Sequence, residues 1–263
     1  SSKDIKGLHF TGSTPVGLHL AELASKNLLR NVLELGGHSP VIICEDVDIK
    51  KVARLAVTTK FYNAGQVCVS PTRFYVHKNV YEEFIEEVTN ITAKIVTGDP
   101  LNSSTQMGPL AHADRVPFIK ELISDACDLG AEITTGGKRI DRDGYFFQPT
   151  VLRDVPDQAK IMSIEPFGPV LPVQKFENLD NVIVKANSLP YGLAAMGFTQ
   201  SISTAKKMSS ELEAGMIAIN RFQVGFVETP FGGIKQSGYG YENGKEGLAE
   251  FMTTKFISEN NPL

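Results

Sequence analysis

Short apolar runs alternate along this chain with longer stretches of helical period. Residues 5–10 (IKGLHF) and 31–35 (NVLEL) read as strands. Between them, Val16, Leu20, Leu23 and Asn27 recur at helical spacing behind the turn Thr11-Gly12-Ser13-Thr14. Pro15 suits the first turn of that helix, where its missing N–H leaves nothing unpaired, and Thr14 is the expected cap. A strand over 40–44 is followed by a helix over 49–63, marked by Ile49, Val52, Ala53, Ala56 and Lys60, capped by Asp46 or Asp48 and stopped by Gly65. Residues 73–77 form another strand. The spacing then predicts helices over 81–96, with Phe84, Ile85, Val88, Ile91 and Ile95 on one face, and over 113–129. Strands are expected near 131–134, 147–152, 195–199 and 216–220, and helices near 178–187 and 201–213. The final run, 250–258, reads as a strand seeking a partner. This alternation predicts an α/β fold, a mostly parallel sheet covered by helices.

Composition narrows the classes. The 263 residues are 42% hydrophobic and 21% charged, enough to bury a substantial core. Lys plus Arg is 26 against 30 Asp plus Glu, a net charge of −4, which argues against nucleic acid as a partner. No apolar run approaches the roughly 18–20 residues of a membrane span. The opening SSKDIK lacks the apolar core of a signal peptide, so the expected location is cytoplasmic. Cys44, Cys68 and Cys127 are an odd number, and the five histidines show no ligand spacing. Neither a disulfide framework nor a metal site is expected.

Four segments are candidates for chemistry. In Phe10-Thr11-Gly12-Ser13-Thr14-Pro15-Val16-Gly17, a strand, a glycine turn and a helix start form a layout that can hold a phosphate, or simply a strand–helix turn. In Glu34-Leu35-Gly36-Gly37, a carboxylate ends an apolar strand, the edge where open α/β sheets place ligands. Partial desolvation would make Glu34 a general base, and the alternative is a solvated strand-end Glu. In Gly65-Gln66-Val67-Cys68, the thiol sits beyond a helix rather than inside an apolar run. It is a candidate nucleophile or a small buried hydrophobe. The preceding helix offers its carboxyl end, the wrong end for lowering a thiol pKa, so activation needs tertiary contacts or cofactor charge. Cys44 and Cys127 read as structural. In Glu165-Pro166-Phe167-Gly168-Pro169, two prolines and a glycine fix a turn that presents a carboxylate and a ring.

FTGSTPVG, then LELGG, then GQVC with its cysteine 34 residues after Glu34, then EPFGPV and finally PFGG resemble the aldehyde dehydrogenase superfamily, over essentially the whole chain. The resemblance implies the catalytic-domain fold of that family and an NAD- or NADP-dependent oxidation of a small-molecule aldehyde to an acid. Cys68 would be the nucleophile, with its own N–H in the oxyanion hole, and Glu34 would activate the hydrolytic water. Gly12, Ser13, Gly17, Leu35, Glu165 and Phe167 would contact the cofactor. Tyr62 and Phe231 would line the aldehyde channel. Residues 1–35 would be the remnant of a dinucleotide-binding domain, 36–240 the catalytic domain and 241–263 an oligomerisation segment of a homodimer or homotetramer.

Members of that family run to about twice this length, so the chain is expected to be the catalytic portion and to turn over poorly by itself. SIEPFGPV and VETPFGGIKQSGYG suggest the semialdehyde-oxidising branch. Succinic semialdehyde enzymes, however, commonly carry an Arg where Tyr62 stands, which leaves Arg73 and Arg221 as cationic candidates or as structural residues. Two other readings remain open: a cofactor-independent thiol esterase, which needs a His base, and a non-enzymatic structural or interaction fragment.

Overall fold

A computed structural model describes residues 4–260. The chain opens with strand β1 (Gly7–Thr11), helix α1 (Thr14–Ser25) and strand β2 (Arg30–Glu34). There follow β3 (Ser39–Ile43), α2 (Ile49–Phe61), β4 (Pro71–His77), α3 (Tyr81–Thr92), α4 (Arg115–Asp128), β5 (Glu132–Thr135), β6 (Thr150–Arg153) and β7 (Val170–Phe176). The last stretch holds α5 (Leu179–Asn187), β8 (Tyr191–Gly192), β9 (Ala194–Phe198), α6 (Ile202–Glu211), β10 (Met216–Ile219), β11 (Ile234–Lys235), β12 (Gly238–Tyr239) and α7 (Gly244–Ala249).

Seven strands form the main sheet in the order β10-β9-β3-β4-β7-β6-β5. All neighbours are parallel except β5 and β6. Val41, Ile42 and Ile43, with Phe74, Val76, Leu171 and Val173, are completely buried, as the unbroken apolar runs of a sheet covered on both faces require. A smaller sheet has the order β1-β2-β12, with β1 and β2 parallel and β12 antiparallel to β2. Residues 35–38 carry the chain from the end of β2 to the start of β3. The site depends on this crossing. It brings the carboxyl end of β2 to the amino ends of β3, β4 and β7, three adjacent strands of the main sheet.

Several elements depart from the sequence pattern. The apolar positions Val16 and Leu23 of α1 are exposed, whereas Thr14, Gly17 and Ala24 are buried. Small residues let the helix approach its sheet closely: a Cβ on Gly17 would lie 2.4 Å from Leu35 Cδ2. Ser13, not Thr14, is its N-cap. Asp48 rather than Asp46 caps α2, accepting from the Lys51 N–H at 3.0 Å. That helix ends at Phe61 because Asn63 and Ala64 take left-handed φ of 49° and 54°. α3 stops at Thr92, where Lys94 N–H and Ile95 N–H turn back to Ile91 and Thr92 carbonyls. No strand forms over 250–258, and Phe251, Met252, Phe256 and Ile257 are exposed. This run has no ladder partner among the described residues; Arg30 instead donates to the Glu250 and Met252 carbonyls. Among the described residues no helix is long and apolar enough to cross a membrane.

Candidate active site

Each of the three adjacent strand starts is preceded by one motif. Leu35-Gly36-Gly37 leads into β3, Gly65-Gln66-Val67-Cys68 into β4, and Glu165 to Pro169 into β7. Parallel pairing of β3 with β4 and of β4 with β7 therefore sets the three motifs side by side. The contacts are tight. A Cβ on Gly37 would stand 2.9 Å from the Cys68 carbonyl oxygen, and one on Gly36 2.8 Å from Glu165 Oε2. Gly65 has φ +72°, and a Cβ there would fall 2.3 Å from the Gly168 carbonyl oxygen, so both space and conformation require glycine. The thiol loop and the Glu165 turn are in backbone contact.

Cys68 is half-buried, and its thiol lies beside the Glu34 carboxyl. Burial and the neighbouring Glu34 carboxyl push the thiol up to about 12. The resting group is a neutral thiol beside the Glu34 carboxyl. Of the two sources of activation expected, tertiary contacts and cofactor charge, the contacts within this chain work against thiolate formation. Glu34 is 3% exposed. Its backbone is held between two partners: the Gly12 N–H donates to its carbonyl at 3.0 Å, and β12 lies antiparallel on its other side. Burial raises its carboxyl to about 7, against the neighbouring Cys68 thiol and with help from Glu242. Its Oε1 is buried with no protein partner, an acceptor well placed for a water.

Glu165 is raised to about 7 by burial, opposed by the Gly37 N–H and by Lys60 and Arg115. Lys60 was legible only as part of a helical period, yet it is completely buried and pushed down to about 7. Its ammonium donates to Ser70 Oγ at 3.3 Å. Three further residues brace the site, none of them given a role in the sequence reading. Gln66 donates to the Asn63 carbonyl at 3.0 Å and accepts from the Ala111 N–H at 2.8 Å. The Arg115 guanidinium donates to the Pro166 and Phe167 carbonyls. Ser237 Oγ donates to the Gly36 carbonyl at 2.7 Å and accepts from the Gly192 N–H at 3.0 Å.

The remaining candidates fall into two groups. Gly12 and Ser13 lie exposed at the amino end of α1, where no side chain caps the helix. Free N–H groups and the positive end of a 12-residue helix suit a pyrophosphate, and the Glu165 carboxyl suits ribose hydroxyls. Gly17 and Leu35 pack on each other, and Phe167 is exposed with φ +40°. These residues fit part of a dinucleotide. Tyr62 and Phe231 share a cavity of about 390 Å³ with Val67, Val69 and Phe222, around the Cys68 loop. Arg73 lies outside this constellation. It is 2% exposed and donates to the His38 and Ala186 carbonyls at 2.9 and 2.8 Å, so it is structural. His38 is buried with one ring nitrogen on Thr72 Oγ1 and the other on the Ile161 carbonyl, which leaves it no role as a base for Cys68.

Comparison with known proteins gives one consistent result. Residues 1–257 match the model of the aldehyde dehydrogenase family. A putative 4-(hydroxymethyl)benzenesulfonate dehydrogenase of Comamonas testosteroni is 45% identical over 257 residues, 98% of this chain and 54% of the relative. The mitochondrial benzaldehyde dehydrogenase of Antirrhinum majus is 43% identical over 97% of this chain and 48% of its own length. A crystal structure of betaine aldehyde dehydrogenase from Staphylococcus aureus in complex with NAD+ superposes with a TM-score of 0.94 at 36% identity, covering 100% of this chain and 53% of that one. The chain spans about half the length of these relatives.

Proposed function

This chain belongs to the aldehyde dehydrogenase family, and from that premise we propose that it carries the covalent chemistry of an NAD- or NADP-dependent oxidation of an aldehyde to a carboxylic acid. The observation that carries the reading is the Cys68–Glu34 pair: a half-buried thiol beside a buried carboxyl whose Oε1 has no protein partner. Cys68 Sγ adds to the aldehyde carbon as its proton passes to Glu34, giving a thiohemiacetal. A neutral thiol needs that acceptor, because burial and carboxylates hold it far above neutrality. The Cys68 N–H donates to the oxyanion. Oxidised NAD or NADP, when bound, supplies the hydride acceptor and a positive charge. Gly12, Ser13 and Gly17 would lie along its pyrophosphate and nicotinamide, Leu35 near the carboxamide, and Glu165 would hold its ribose with Phe167 alongside. On the resulting Cys68 thioester, Glu34, having lost the thiol proton to solvent, accepts a proton from the attacking water and returns it to the departing Cys68 sulfur, a task suited to a carboxyl held near 7. Residues 1–35 then close a dinucleotide-binding domain, 36–240 form the catalytic domain and 241–263 serve assembly.

The acyl half of the reaction can be tested without cofactor. Incubation with p-nitrophenyl acetate should place one acetyl group on Cys68, located by mass spectrometry, and none on Cys44 or Cys127. Glu34→Gln should slow release of that acetyl by about 10²–10⁴-fold, the range of a lost general base. Acylation elsewhere, or unchanged release in Glu34→Gln, rejects the assignment.

A further inference from the structure

We propose that the aldehyde taken by this site is uncharged and carries an aromatic ring. The inference rests on Cys68 being the nucleophile, and it concerns the cavity beside it. Three rings, Tyr62, Phe222 and Phe231, and three valines, Val67, Val69 and Val224, make up most of its wall. A volume of about 390 Å³ lies within the range of small-molecule pockets. Tyr62 is 70% exposed and stands at the rim, while Val67 and Val69 flank Cys68 directly in sequence. The polar groups of the wall are hydroxyls, including that of Tyr62, and the Gln223 amide; among the described residues that line it, none is cationic.

None of the cations nearest the motifs lines the cavity. Arg73 is buried and bonded to main-chain carbonyls. The Arg221 guanidinium lies over the Phe226 ring at 5.1 Å. Lys60 is completely buried behind Ser70, where its ammonium has the Ser70 hydroxyl and the field of Glu165. The charges that do face the thiol are carboxylates, Glu34 and Glu165. A substrate carboxylate would lose its water, gain no counter-ion and meet like charge. A flat apolar ring meets aromatic edges and valine methyls instead.

Protection of Cys68 from iodoacetamide tests this on the purified chain, read by mass spectrometry at alkaline pH. The probes are benzaldehyde, 4-carboxybenzaldehyde and succinic semialdehyde. Benzaldehyde should protect at a concentration at least about tenfold below either carboxylated aldehyde. Val224→Lys should reverse the order of the two ring aldehydes, because it places the missing cation in the wall. Equal protection by all three, or a preference for either carboxylate, overturns the substrate class and leaves the nucleophile intact. An unchanged order in Val224→Lys overturns the assignment of this cavity. No protection by any aldehyde overturns the nucleophile reading and the proposal together.

Discussion

The two sheets differ in how they are covered. The main sheet lies between helices, and its central strands β3 and β4 have almost no exposed atom. The small sheet packs against α1, which turns Val16, Leu18 and Leu23 to solvent, and against the run at Phe251. Strand β1 is its open edge and alternates exposed and half-buried residues. The proposed active-site residues are divided between these regions: Glu34 ends a strand of the small sheet, while Cys68 and Glu165 precede strands of the main one. The proposed nucleophile and base thus rest on supports expected to differ in stability.

The largest effect should come from the main core. Phe74 is completely buried between Phe84 and Phe222, so Phe74→Ala should lower the unfolding free energy by about 3–5 kcal/mol in urea titration. Hydrogen exchange should meanwhile show β1 and β2 exchanging sooner than β3 and β4 in the unmodified chain. Equal protection in both sheets would erase the contrast.

Glu34 sharpens the comparison at the seam. Its folded value of about 7 lies above the ordinary 4.5, so the native chain holds an extra proton between them. Its contribution is fully present below about 4.5 and is lost as pH rises through 7. Glu34→Gln should therefore be more stable than the parent above pH 7, by roughly 2–3 kcal/mol. Glu165 is raised over the same range, so the variant should retain part of the slope. A stability gain independent of pH would contradict this. The smallest effect belongs to the uncovered helix: Leu18 is 59% exposed, and Leu18→Lys should change stability within about 0.5 kcal/mol. A loss of several kcal/mol would mean that α1 is covered in solution.

The same division governs what the sequence made legible. Period and apolar runs located the main-sheet strands and their helices, because each buries a continuous face. They misjudged α1, whose buried positions are small residues chosen for close approach. They missed β11 and β12, two residues each, which exist only through long-range pairing with β8 and β2. Cys68, Glu34 and Glu165 stood out because a thiol or carboxylate beside glycine is chemically conspicuous. Gln66 and Ser237 did not, since their work is to bond distant main-chain groups and no spacing encodes that. Arg73 drew attention for its charge, although its guanidinium serves carbonyls inside the fold.

The placement of β12 has a consequence for biosynthesis. Glu34 leaves the ribosome well before the strand that flanks it, which arrives roughly 200 residues later, on the order of 10–40 s at ~5–20 residues per second. Through that interval the main-sheet strands can pair as they emerge, while the base waits unframed. Ser237 and Gly238 then lock the Glu34–Gly36 backbone among the last contacts made. The nascent chain thus holds its thiol in place before its base, and a ribosome stalled short of residue 237 displays a folded sheet with an unfinished site.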